Sequence, residues 1–237
     1  MQQPEAKFGE WIEGAFTLYK ENLVVLLVIG LITMVLGSLT LGVLAGPLMV
    51  GMNLVVLRLI DKSEPAPQIG DLFKGFDFFL NAFLFILIYG VVMFAIVAIL
   101  AQVPCLGPVL STIVPIVINA FLMFVLFLIP DQGLAFWPAV LASIDRVKQN
   151  FWPLLGLNVV AGLLSAVGAI ACGIGIILTY PMYACIVGCA YRDCFGGQAE
   201  EDAPVVEVPP VVEIAAAAQA ATPAEEETVE DPEGEDG

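Results

Sequence analysis

The chain has 237 residues, of which 59% are hydrophobic, with no histidine and a formal net charge of −16. Soluble domains hold roughly 45–50% apolar residues, so the composition excludes an ordinary water-soluble fold, and the missing histidine excludes a histidine base, a histidine-ligated metal and a serine–histidine arrangement. The charge is confined: residues 198 to 237 hold thirteen acids and no bases, against eleven acids and eight bases in the rest.

Met1 to Trp11 is polar and contains two acids, where a cleaved secretory signal would place a basic segment and a cleavage motif. The first hydrophobic hairpin is therefore expected to act as its own uncleaved insertion signal. From Glu5 to Lys20, residues Phe8, Trp11, Ile12, Ala15 and Tyr19 share one helical face, with Glu10, Glu13 and Lys20 elsewhere. This predicts a cytoplasmic amphipathic helix within residues 1–21 that lies flat on the membrane, with Trp11 at headgroup depth. Such a helix is short and only slightly basic, so anchoring of the hairpin base is favoured over curvature or lipid sensing.

Three stretches then carry no charge: Asn22 to Leu57, Phe78 to Pro130 and Gln149 to Tyr191. One crossing of a hydrocarbon core needs ~20 apolar residues, so each stretch is about right for two. Each is broken by helix punctuation: Gly46-Pro47, then Pro104-Cys105-Leu106-Gly107-Pro108, then Gly173 to Gly175 followed by Tyr180-Pro181. The expected fold is an all-α membrane protein with six transmembrane helices arranged as three hairpins over residues 22–197. The segments 47–60 and 181–194 are short for a crossing; they either start before their prolines or stop short, and Arg58 and Arg192 are placed to snorkel toward headgroups. Short, Pro-interrupted helices at matching positions are also a pointer to a transporter site, although Ala184 and Gly188, four apart, favour close helix packing instead.

Between the first two hairpins, Ser63-Glu64-Pro65-Ala66-Pro67 reads as a turn and Asp71 as the cap of a short helix through Phe76. A further amphipathic helix starts with Pro138 in its first turn and runs through Leu141, Ile144 and Val147, with Asp145, Arg146 and Lys148 opposite and Trp137 and Trp152 at headgroup depth. All eight bases fall on one side of the six-crossing arrangement, and the turns near 42 to 47, 102 to 108 and 173 to 181 are uncharged. Bases are retained on the cytoplasmic side during insertion, which places both termini there. Residues 198–237 form a disordered acidic cytoplasmic tail, because they are densely negative and without aromatic residues. This tail is a possible handle for a basic protein partner or a purely solubilising extension; it repels nucleic acid and anionic lipid.

The hairpins contain an internal repeat. Lys20-x-Asn22-x-x-x-Leu26-Leu27 recurs as Lys148-x-Asn150-x-x-x-Leu154-Leu155, and Pro47 precedes Arg58 by the same eleven residues as Pro181 precedes Arg192. The third unit is six residues longer between these marks, and the middle one fits less well. Units that all begin on one side form a parallel repeat.

No crossing holds Asp, Glu, Lys or Arg at mid-membrane depth, which argues against proton-coupled transport. The polar groups at depth are Asn53, Asn81, Asn119, Asn158, Ser111, Thr112, Ser165 and Tyr89, read as bridges between helices in preference to a substrate path. Only loop residues such as Asp71, Asp77, Asp131 and Asp145 are available as acids or bases for catalysis, and none is paired in a convincing motif. The five cysteines have no metal-site spacing; Cys105 and Cys172 lie toward one side, where they form either a disulfide or two small buried thiols. Cys185 and Cys189 share a helix face, and Cys194 lies at the cytoplasmic boundary, where acylation is chemically open. No catalytic, cofactor-binding or metal-binding residue is assigned.

The segment Phe16-x-x-Tyr19-Lys20-x-Asn22, the motif Asp71-Leu72-Phe73-x-Gly75-Phe76 and the closing Ala190-Tyr191-Arg192-Asp193-x-Phe195-Gly196 resemble uncharacterised bacterial six-helix integral membrane proteins. These are similar to the membrane domain attached to some glycerophosphoryl diester phosphodiesterases. The resemblance covers residues 8 to 197 and implies an all-helical fold in a bacterial cytoplasmic (inner) membrane. It brings no catalytic residues, since the soluble phosphodiesterase barrel has no counterpart here. The expected function is that of a non-enzymatic membrane scaffold that organises lipids or partner proteins; the alternative is a carrier or export component for a neutral or lipid-like small molecule.

Overall fold

The computed structural model describes residues 7–103, 106–170 and 174–201, and among these every regular element is helical. In chain order they are α1 (Phe8–Glu21), α2 (Leu23–Leu39), α3 (Ala45–Ile60), a 3-10 segment (Ile69–Phe78), α4 (Phe79–Leu100), α5 (Gly107–Leu122), α6 (Val125–Asp131), α7 (Phe136–Gln149), α8 (Phe151–Ile170) and α9 (Ile174–Glu201). The chain divides into two units, Met1–Ala199 and Glu200–Gly237. The acidic tail beyond Glu201, and the pairing of Cys105 with Cys172, lie outside the described residues.

Three joints connect an amphipathic segment to a charge-free helix. At the first, Asn22 closes α1 by donating its backbone N–H and its side-chain Nδ2 to the carbonyl of Leu18, at 3.1 and 3.0 Å. Its own carbonyl then accepts the N–H of Leu26 and opens α2. A residue at φ −116°, ψ 23° interrupts helical geometry, and the chain turns by 90° there. Asn150, at φ −131°, ψ 45°, makes a comparable exchange through its backbone, donating its N–H to the Val147 carbonyl and accepting the Leu154 N–H, both at 3.2 Å. Phe78 takes a related conformation, φ −105°, ψ 19°, but there the 3-10 segment and α4 run on as one helical stretch, Ile69–Leu100.

Among the described residues two stretches, Ile69–Leu100 and Gly107–Asp131, are long and apolar enough to cross a membrane, and the bent pair of α1 with α2 makes a third where it is counted as one span. Helix α4 leaves Leu80, Val91, Phe94 and Ile99 between 61% and 78% exposed, a surface that only a hydrocarbon solvent or another apolar face would cover. Both proline-marked helices start before their prolines. Helix α3 begins at Ala45 and reaches ~24 Å, whereas α9 begins at Ile174, holds Pro181 inside it and reaches ~42 Å.

Helix α3 is the centre of the packing. Leu48, Val50, Met52, Val55 and Val56 are fully buried. Two glycines allow the 3-10 segment to cross it in backbone contact: a Cβ on Gly51 would overlap the Leu72 carbonyl, and one on Gly75 would overlap the Pro47 carbonyl and the backbone of Gly51. The Asp71-to-Phe76 motif is therefore a backbone-crossing motif. On the other flank, Gly188 of α9 meets α3 so closely that a Cβ would lie 2.9 Å from Val56 and 3.1 Å from Ile60, as the Ala184 and Gly188 spacing suggests.

Several expectations change. The apolar face of α1 is turned onto the protein: Trp11, Ala15 and Tyr19 are buried, because Trp11 Nε1 donates to Asp193 at 3.1 Å and the Tyr19 hydroxyl donates to the Leu178 carbonyl at 2.8 Å. Trp11 is thus a packing residue, whereas Trp137 and Trp152 are exposed. In α7 the buried face is Ala139, Ser143 and Val147, with Leu141 exposed, since the small residues allow a closer approach to α5. The stretch read as one crossing through Pro130 remains one candidate span, Gly107–Asp131, with a turn at Met123-Phe124 between α5 and α6. Asp71 is the third residue of the 3-10 segment instead of its cap; its carboxylate accepts the Gln68 N–H at 2.9 Å from inside the first turn.

Candidate functional site

Of the side chains expected at depth, Asn119, Asn158, Asn53 and Tyr89 converge. Helix α4 supplies Tyr89, α5 supplies Asn119, α8 supplies Asn158, and α9 adds Tyr180 and Tyr183. Counted from the joints at Phe78 and Asn150 and back from Arg192, Tyr89, Asn158, Tyr183 and Tyr180 lie ~12–18 Å along their helices, about half the thickness of a hydrocarbon core.

They line two adjoining cavities. One, of about 360 Å³, is bounded by Tyr89, Asn119, Asn158 and Tyr183 with Ile116 and Leu163 among its apolar wall. The second, of about 220 Å³, shares Tyr89, Asn119 and Tyr183 and continues past Asn53 and Tyr180. None of the described residues lining either cavity carries a charge. At the rim of the first, Ile116 and Val159 are 37% exposed and Leu163 is 62% exposed, so the cavity opens sideways from the helical layer.

Hydrogen bonds fix the polar groups. Asn158 donates Nδ2 to the Ile116 carbonyl at 3.1 Å, and its Oδ1 accepts the Tyr183 hydroxyl at 3.2 Å, with Asn119 Oδ1 next at 3.4 Å. Asn53 donates Nδ2 to the Leu126 carbonyl at 3.2 Å. Among these groups the arrangement offers hydrogen bonding and shape, with no ionised acid, base or nucleophile. Asn81 is not at depth: three residues into α4, it accepts the Phe136 N–H at 3.3 Å and satisfies the start of α7. Ser111 and Thr112 both donate back to the Pro108 carbonyl at 3.0 Å, and the buried Ser165 hydroxyl has no hydrogen-bond partner among the described residues.

The charged groups gather in a separate layer. Arg192 donates from Nη1 to both oxygens of Asp131 at 2.8 and 3.0 Å and from Nη2 to Asp61 at 2.5 Å, while the Tyr191 hydroxyl donates to Asp131 at 2.6 Å. Arg58 donates to Asp71 at 2.7 Å and to the Pro65 carbonyl at 3.3 Å, and Lys74 reaches the other Asp71 oxygen at 2.7 Å. Both arginines placed to snorkel are instead tied to carboxylates. Asp71 lies ahead of the charge-free part of its stretch, which begins at Phe78. The Lys74 hydrogen bond, the Gln68 N–H and the Arg58 charge together hold its carboxyl below the ordinary range, against the opposing effect of partial burial. Asp145 pairs with Lys148 at 3.4 Å, and Asp77 joins none of these pairs. Asp71, Asp131 and Asp145, three of the loop acids named as candidates for catalysis, are thus held in ion pairs.

Among the described residues no group of three His, Cys, Asp or Glu side chains is placed to hold a metal. Cys194 is 8% exposed and buried beside Phe195, which withdraws it from acylation at the boundary. Tyr180 and Tyr183 are the residues that sequence reasoning left out of the site. Their three-residue spacing puts them on one helical face, a signal that the neighbouring Pro181, read as punctuation, conceals. No protein-family model, curated protein or solved structure matches the chain.

Proposed function

We propose that the chain is a six-crossing integral membrane protein that binds a neutral, lipid-like molecule in the Asn/Tyr chamber and moves or presents it without catalysis. The chamber carries this reading: neutral hydrogen-bonding groups from five helices line its two cavities, and those of α4, α8 and α9 lie ~12–18 Å along their helices, about half the thickness of a hydrocarbon core. Helices α2, α3, α4, α5 with α6, α8 and α9 supply the three hairpins, and the Asn22 and Asn150 joints support descent of the first and third from one parallel repeat. The single-sided distribution of the eight bases supports cytoplasmic termini in a bacterial cytoplasmic membrane.

The test is mass spectrometry of the protein extracted in native lipid particles. An enriched neutral lipid or small molecule at a fixed ratio supports the reading, and bulk membrane composition around the protein opposes it. A reporter fused after Leu106 that behaves as cytoplasmic overturns the topology.

A non-enzymatic scaffold is the second reading. It is favoured by the commitment of Asn53 and Asn158 to backbone carbonyls, which is bracing between helices. In that case the acidic residues 198–237 recruit a protein partner, and a version ending at Gly197 loses it while the full chain keeps it.

A further inference from the structure

In the larger cavity the Asn119 amide donor and the Tyr89 hydroxyl have no partner among the described residues, and they specify a headgroup. The carbonyl oxygens of Asn158 and Asn119 face the Tyr183 hydroxyl. The amide donors of Asn158 and Asn53 are held by the Ile116 and Leu126 carbonyls. Among the described residues, the Asn119 amide group and the hydroxyls of Tyr89 and Tyr180 have no hydrogen-bond acceptor, yet each lines a cavity. Asn53 Oδ1 and the tyrosine hydroxyl oxygens keep capacity to accept, whereas the larger cavity, which Asn53 does not line, offers a ligand the Asn119 N–H groups and the Tyr89 O–H as donors. A donor in an apolar setting is costly when unpaired, so the complementary molecule brings an acceptor. It is also uncharged, because no lysine or arginine lines the chamber to offset an anion.

The way in is equally specific. Gly162 lines the first cavity beside Leu163 and Val159, and a Cβ added there meets nothing within 4 Å. With Leu163 62% exposed beside it, this is the open mouth of the chamber. An apolar chain lying against Ile116, Val159 and Leu163 continues from the chamber into the surrounding hydrocarbon.

We propose that the chamber selects a neutral amphiphile whose headgroup presents a carbonyl-type acceptor to the Asn119 amide and Tyr89 hydroxyl, and whose chain enters laterally past Gly162. This rests on the chamber being a binding site, as set out above.

The full chain in lipid nanodiscs is titrated with three labelled probes of one chain length: a fatty acid methyl ester, the ionised fatty acid and the parent hydrocarbon. The ester is expected to bind roughly tenfold more tightly than the hydrocarbon, the gain from pairing one otherwise stranded donor, and more tightly than the carboxylate. Asn119→Leu should remove the advantage of the ester over the hydrocarbon; Tyr89→Phe, which deletes one hydroxyl and keeps the ring, should reduce it if the first variant does not fold. Gly162→Leu fills open space on a helix and improves helix propensity, so it should fold and weaken all probes together.

Equal binding of the three probes to the unaltered protein overturns the headgroup assignment and leaves chamber binding standing. Tightest binding of the carboxylate overturns neutrality. Undiminished binding to Gly162→Leu overturns the lateral path. Absence of binding by any probe to folded protein removes the chamber reading itself.

Discussion

The side-chain amide of Asn53, on α3, donates to the carbonyl oxygen of Leu126, on α6, at 3.2 Å. Leu126 lies four residues before Pro130. In a regular helix its carbonyl would accept the N–H of residue 130, and proline has none. Asn53 supplies the missing donor from another helix, and in doing so ties α3 to the broken stretch formed by α5 and α6. Ser143 does the same at the break itself, donating from Oγ to the Phe121 carbonyl at 2.7 Å, one of the acceptors left open at the end of α5.

Asn53→Ala should destabilise the protein by about 0.6–1.7 kcal/mol, the range for hydrogen bonds between membrane helices. Pro130→Ala restores a local N–H for Leu126, so the cost of Asn53→Ala should shrink in that background. A double-mutant cycle of unfolding free energies in bicelles measures it. Equal costs in both backgrounds would show that Asn53 serves something other than this carbonyl.

The crossing at Gly51 and Gly75 has no slack, because the atoms an added Cβ would overlap are backbone atoms of the partner segment. Gly51→Ala should cost about 3 kcal/mol or more, the upper end for overpacking. Gly90→Ala in α4, where nothing lies within 4 Å, should be neutral or stabilising by up to ~1 kcal/mol. Thermal unfolding of the two variants side by side checks this, and equal melting temperatures would sink the claim.

Asp71 gives a pH dependence with a definite sign. Its carboxyl in the folded protein titrates below the ordinary value, which is about 3.9 for an unfolded chain. The stabilisation is therefore complete above about pH 4–5 and is lost as pH falls through the lower, folded value. The difference in melting temperature between the natural protein and Asp71→Asn should be constant near neutrality and close only under acid conditions. A gap that widens on acidification would refute it.

Arg192 holds Asp61 and Asp131 with separate guanidinium nitrogens, a geometry that one ammonium cannot reproduce. Arg192→Gln should cost about 1–2 kcal/mol, between an exposed and a buried pair, and Arg192→Lys should recover only a small part. Full recovery by lysine, read from denaturation midpoints, would mean that charge alone suffices.

The two Asn joints are legible in the amino-acid sequence, because asparagine between an amphipathic run and a leucine run favours local hydrogen bonding over helix continuation. The starts of α3, α5 and α7 are legible for a similar reason, since each carries proline in its first turn. The break between α5 and α6 is not, because Met123-Phe124 contains no local breaker and is held open by bonds from α3 and α7. Nor is the inward turn of Trp11: an amphipathic stripe reads the same whether it meets lipid or protein, and only Asp193, 182 residues away, decides it.

The site divides in the same way. The sequence by itself determined that the polar groups of the charge-free stretches are uncharged, since solvation cost keeps ions out of such apolar runs. Which of these groups are bracing and which are left facing a cavity depends on carbonyls and hydroxyls brought from other helices, as with Asn158 on Ile116 and Tyr183 on Asn158. Helix identity and the chemistry of the interior are local properties of sequence; which polar groups stay unpaired is a property of several helices at once, and only the tertiary structure decided it.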